Sequence, residues 1–163
     1  MSEVLQVISF AEEDSAKRVY VDFSICSDIL IPQEITNRLG ILPTRTWAKG
    51  DRYEGRGRDP RTKKFYKEWR ERPSGIWGLD TESSVKELRV EKHILFLLNL
   101  LEPSKKQIEY YLQQRENYRI SFLIHWQPYG DWGSYVVDNN ILQRMSALCH
   151  YIEFEFRATC NPE

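Results

Sequence analysis

Tyr118-Arg119-Ile120-Ser121-Phe122-Leu123-Ile124-His125-Trp126 is the stretch that decides the fold. Tyr118, Ile120, Phe122, Ile124 and Trp126 fall on one side of a period of two. Arg119, Ser121, Leu123 and His125 fall on the other. Successive side chains of a strand point to opposite faces, so this pattern predicts a strand with one face in a core. The alternation recurs near the start of the chain. Val19, Val21, Phe23 and Ile25 stand against Tyr20, Asp22, Ser24 and Cys26. It recurs once more in Tyr151 to Phe156, with Ile152, Phe154 and Phe156 as the apolar set. Strands of this kind build a sheet with one wet face, so helices are expected on the other.

The segments between these strands supply the helices. Pro32 suits a first helical turn and Gly40 the position just past the end, with Ile31, Ile35 and Leu39 as the apolar face. Thr44 to Ala48 and Ile76 to Leu79 are expected strands. Ser84-Val85-Lys86-Glu87 fits a capping box, which predicts a helix to about Leu101 with Leu88, Leu95, Leu98 and Leu101 inward. Pro103 opens a second segment, with Ile108 and Leu112 inward. A turn at 127–131 is expected to lead into a partner strand, Ser134 to Val137. Asn139 or Asn140 then caps a last helix carrying Ile141, Met145 and Leu148. The order predicts an α+β two-layer sandwich with a mostly antiparallel sheet and helices on one face. Its first part is a ferredoxin-like βαββαβ core, and an extra βαβ follows.

The 163-residue length suits one domain, 1–163, which buries roughly 70% of its unfolded surface. Residues 1–17 have no clear period and are expected to form a flexible arm or an extra edge strand. No apolar run approaches the roughly 18 residues that cross a bilayer, so no membrane is expected. Met1 to Phe10 lacks a basic segment followed by an apolar one, so no signal peptide is expected. Cys26, Cys149 and Cys160 are odd in number and fit neither a disulfide framework nor a zinc site. A reducing cytoplasm is the compartment this implies.

Charge is distributed unevenly. The whole chain carries −1, yet residues 45–72 hold eleven Lys or Arg against five Asp or Glu, so the remainder carries −7. Residues 50–75 are expected to form a long basic loop, with a brief helix over 63–72 in which Phe65 and Trp69 stand four apart. Arg56, Arg58, Arg61, Lys63, Lys64, Lys67 and Arg70 are interleaved there with Tyr53, Phe65, Tyr66 and Trp69. Cations meet phosphates and aromatics stack on bases, a mixture that suits single-stranded nucleic acid. It equally suits an acidic protein surface, including a second copy of this chain. A solvated loop that aids solubility is the plainer alternative.

A second candidate is a cleft for an anionic ligand, formed if strands 44–48 and 76–79 pair. Trp47 and Trp77 would then share a sheet face, with Arg45, Lys49 and Asp51 near them. Two core aromatics with flanking charge would look the same. A third candidate is His125 with Asp131 in the adjacent turn, as a base and its orienting carboxylate, set against a plain strand-surface histidine. His93 is expected at a helix boundary. His150 beside Cys149 gives no nucleophile, since neighbours on a helix end face apart. No metal-ligand spacing occurs. Gly55-x-Gly57 lacks the setting of a phosphate loop, so no cofactor is expected.

Four stretches together resemble the bacterial family called domain of unknown function 4279. They are Tyr20-Val21-Asp22-Phe23-Ser24-Ile25, the run Pro32 to Asp51 containing Pro43-Thr44-Arg45-Thr46-Trp47, Gly75-Ile76-Trp77-Gly78-Leu79-Asp80-Thr81-Glu82-Ser83, and the ending Leu142 to Phe156. The resemblance covers about residues 19–157 and implies a small intracellular bacterial domain. It implies no activity, ligand or cofactor. Gly78 stands where a serine after the Trp is expected, so no hydroxyl chemistry attaches to that position. Three functions stay open: a non-enzymatic binding or protein-interaction domain, a single-stranded nucleic-acid module acting through 52–72, and an enzyme sited near Trp47/Trp77 or His125/Asp131.

Overall fold

A computed structural model describes residues 16–130 and 133–157. The expected arm at 1–17 falls almost wholly outside these residues, as do Asp131 and Cys160. Among the described residues seven strands form two sheets. The larger has the order β2-β5-β1-β6-β7, from Arg45–Trp47, Gly75–Asp80, Ala16–Ser27, Arg119–Pro128 and Tyr151–Phe156. Its neighbours are antiparallel except β6 and β7, which run parallel. β1 and β2 thus run in one direction, with β5 inserted between them. The helices are α1 (Pro32–Leu39), α2 (Val90–Leu101), α3 (Lys105–Leu112) and α4 (Asn139–Ser146), with a 3-10 turn at Glu102–Ser104. The fold is α+β with a mostly antiparallel sheet.

The two longest strands pair directly, Phe23 opposite Phe122 and Ile25 opposite Ile120. Val21, Phe23, Ile25, Ile120, Phe122 and Ile124 are fully buried. α2 covers this face with Ile94, Leu97, Leu98 and Leu101, also fully buried. α1 packs on β5 through Ile35 and Leu39, so Trp77 lies in the same core and donates its Nε1–H to Thr36 Oγ1 at 3.0 Å. Pro32 opens α1. Gly40 closes it at φ 67°, a conformation that costs a side chain little only when there is none. Ile31 is the N-cap and is exposed instead of inward.

Five local expectations are corrected. α2 starts at Val90, not at the Ser84 capping box. Residues 82–89 instead form a turn and an extended connection held by His93, which is fully buried and not a boundary residue. Its Nε2–H donates to the Glu87 carbonyl at 2.8 Å, and Nδ1 accepts from the Thr81 hydroxyl at 2.6 Å. Residues 134–137 join no ladder, so β6 returns to β7 through α4 as a parallel crossover without an extra strand. α4 is capped by Asp138, whose Oδ1 accepts from Asn140 N at 2.8 Å. Finally, Phe154 is 48% exposed. It has the parity of the core face, but β7 is an edge strand of the sheet among the described residues, and its ring meets Tyr135 at 6.3 Å between ring centres without being enclosed.

Two outcomes follow. Phe122→Ala is expected to cost about 3–5 kcal/mol in urea unfolding, and Phe154→Ala clearly less, because only the former leaves a cavity. Equal losses would contradict the edge position of β7. Burial holds the His93 imidazole below its ordinary pKa. The unfolded chain therefore binds the proton more readily, and stability falls as pH drops through about 6.5. His93→Gln should flatten that part of a melting-temperature profile taken from pH 8 to 5; an unchanged slope would assign it to another group.

Candidate functional site

The sheet face away from the helices carries a row of polar side chains contributed by four of its five strands. Asp22 on β1 is buried. His125 on β6 sends Nε2 to Asp22 Oδ2 at 2.9 Å, and its Nδ1 pairs with Glu155 Oε2 on β7. Arg45 on β2 reaches Asp22 Oδ2 at 3.5 Å, passing over Gly78 on β5. A Cβ at Gly78 would stand 3.1 Å from Arg45 Nε, so the absent side chain leaves the guanidinium its path. Arg157 closes the row on Glu155 Oε1 at 3.0 Å. Tyr20 stacks on the imidazole at 4.1 Å between ring centres. Asp22 Oδ1 and Arg45 Nε are buried without a hydrogen-bond partner.

This arrangement orients charge but leaves no free base. A general base needs an unshared nitrogen within reach of a substrate proton. Both nitrogens of His125 face carboxylate oxygens, and its partners are Asp22 and Glu155, with Asp131 lying outside the described residues. Among those residues no group of three His, Cys, Asp or Glu could hold a metal ion. His150 is also committed, accepting from Ile120 N at 3.2 Å and donating to the Leu112 carbonyl at 3.0 Å. Burial pushes the Cys149 thiol up to about 11, and raises that of Cys26 as well.

The Trp47–Trp77 cleft does not assemble. β2 and β5 pair as expected, but Trp47 stands opposite Ile76 and Trp77 opposite Thr46. The two indoles therefore lie on opposite faces of the sheet. The polar groups of 45–51 are used internally: Lys49 Nζ pairs with Asp28 at 2.5 Å, and Asp51 Oδ2 accepts from Ala48 N at 2.7 Å. Trp47 donates to the Ser74 carbonyl at 3.2 Å. The Arg72 guanidinium lies 3.9 Å from the ring centres of both Trp47 and Tyr53. This sandwich anchors the root of the basic segment to the main sheet.

That segment is a two-stranded antiparallel ribbon, not a loop with a helix. Among the described residues β3 (Arg52–Arg58) pairs only with β4 (Phe65–Glu71). The tip is shaped by Asp59, whose Oδ1 accepts from Arg61 N at 2.8 Å and Thr62 N at 3.0 Å, and by Lys63 at φ 59°. These two donors hold the Asp59 carboxyl below the usual carboxylate range. One face of the ribbon carries Arg52, Glu54, Arg56 and Arg58 opposite Glu71, Trp69, Lys67 and Phe65. Trp69 is 66% and Phe65 72% exposed. Arg52 lies 5.7 Å from the Trp69 ring, and Arg58 lies 5.7 Å from that of Phe65. Lys67 pairs with Glu54 at 2.5 Å and Arg70 with Glu68. The side chains of Arg56, Arg61, Lys63 and Lys64 have no ion-pair partner among the described residues.

The structure thus defines a small α+β domain with a polar row, buried at Asp22 and His125, on the sheet face away from the helices, and a basic aromatic ribbon projecting from one edge. The chain belongs to the family described as "Domain of unknown function (DUF4279)", which it matches over residues 17–159. No curated protein and no solved structure matches it significantly. Among the described residues, no helix is long and apolar enough to cross a membrane.

The cysteine chemistry is directly checkable. At pH 8 a thiol of pKa about 11 is ionised on the order of one part in a thousand, so folded protein should leave Cys149 unlabelled by iodoacetamide while urea-unfolded protein is labelled fast. Rapid labelling of Cys149 in the folded state, read by peptide mapping, would restore it as a nucleophile.

Proposed function

We propose that this chain is a non-enzymatic, single-domain binding module of the reducing cytoplasm, and that the β3–β4 ribbon holds its partner, an anionic one. The observation that carries this is Arg56 standing directly opposite Lys67 on an exposed ribbon. Like charges in that position destabilise a strand pair, by up to about 1 kcal/mol. Lys67 turns to Glu54, and Arg56 keeps no counter-charge among the described residues. An anion laid along this face would relieve the repulsion. The enzyme reading has less support, because the imidazoles that would serve it have both nitrogens committed.

The test is retention on a heparin column. Wild-type protein, although its net charge is only −1, should bind at low salt and elute as salt rises. Neutralising Arg56, Arg58, Arg61 and Lys64 together should abolish retention and leave the melting temperature nearly unchanged, since exposed side chains contribute little packing. A wild type that flows through at low salt would remove the ribbon as a polyanion surface.

A further inference from the structure

Resting on the polyanion reading of the ribbon, we infer that the partner is single-stranded nucleic acid, whose unpaired bases stack on Trp69 and Phe65 while Arg52, Arg56 and Arg58 meet its phosphates. The argument starts from the rings. Both are more than half exposed on a segment that has no core of its own, and an exposed Trp costs solubility without adding to the fold. A purely electrostatic surface for an acidic peptide or polysaccharide has no use for them. A surface that stacks on bases does.

The arrangement repeats. Arg52 sits beside Trp69 and Arg58 beside Phe65, each at 5.7 Å from the ring centre. Each unit offers a flat apolar surface for a base and, next to it, a cation for the neighbouring phosphate. Arg56 lies between the two units on the same face. The spacing also selects the strand state. Phe65 and Trp69 are four residues apart on an extended strand, roughly 14 Å at about 3.4 Å per residue. Stacked bases in a duplex follow one another at about 3.4 Å per strand, and their faces are covered by their neighbours. Two rings 14 Å apart can each take a base only from a strand that is unstacked and extended. Tyr66, half exposed on the opposite ribbon face, is not part of this set.

The experiment uses the full chain and a fluorescein-labelled oligothymidylate, with a duplex of the same length as comparison and heparin retention as control. The single strand should bind more tightly than the duplex, weaken with salt and quench tryptophan fluorescence. Phe65→Ala/Trp69→Ala should lower affinity for the single strand at least tenfold while heparin retention stays as in wild type, because every cation remains. Phe65→Tyr/Trp69→Tyr, which keeps a stacking ring at both positions, should retain binding. Heparin retention without oligonucleotide binding would overturn the nucleic-acid inference and leave the polyanion reading standing. Equal binding by wild type and the double alanine variant, or preference for the duplex, would do the same. Loss of both heparin and oligonucleotide binding in wild type would overturn both.

Discussion

Strand β1 is paired along both of its edges, and everything else is placed relative to it. Its odd-numbered residues from Val19 to Ile25 enter the core, while Tyr20, Asp22, Ser24 and Cys26 face away from the helices. A one-residue slip against β6 would exchange these two sets, putting Asp22 under α2 and Phe23 into the polar row. That exchange would bury a carboxylate among leucines and expose an aromatic ring. The register is therefore strongly specified. It places β5 for α1 to cover and β6 for the parallel crossover through α4.

The polar row on the open face follows from the same register. Tyr20 is opposite His125, and His125 is opposite Glu155 one strand further on. Asp22 lies diagonally from His125 and close enough to share its Nε2. Burying a carboxylate is costly, and here the cost is offset by an imidazole on the adjacent β6 and a guanidinium that reaches across β5 from β2. Removing either would leave a buried charge short of a partner. The row is thus a lock between four strands, and its histidine is occupied in that lock.

The ribbon obeys different physics. Among the described residues its strands pair only with each other, so its stability comes from its own ladder, the Asp59 turn and the Arg72 sandwich at its root. None of its outer side chains supports the core. Cations and rings can occupy it at little cost to the fold, and an exposed segment with that freedom is where a binding surface is cheapest to build.

Much of the architecture was legible in the sequence because it rests on local rules. The alternation of 19–25 and 120–126 marked two strands and their buried faces, and Pro32 with Gly40 bracketed α1. The corrections have two kinds of physical cause, an ambiguous local spacing and pairing between strands distant in sequence. A spacing of four, as from Phe65 to Trp69, puts two side chains together on a helix and equally on one face of a strand, so the ribbon looked like a helix. The parity of Trp47 against Trp77, and the partners of His125 at Asp22 and Glu155, depend on which residues pair across strands distant in sequence. Phe154 had core parity but an edge position. Local patterning determined which elements form and which side of each is apolar; pairing register and the order of strands in the sheet, which arise only when distant strands meet, decided which polar groups touch and which rings stay in solvent.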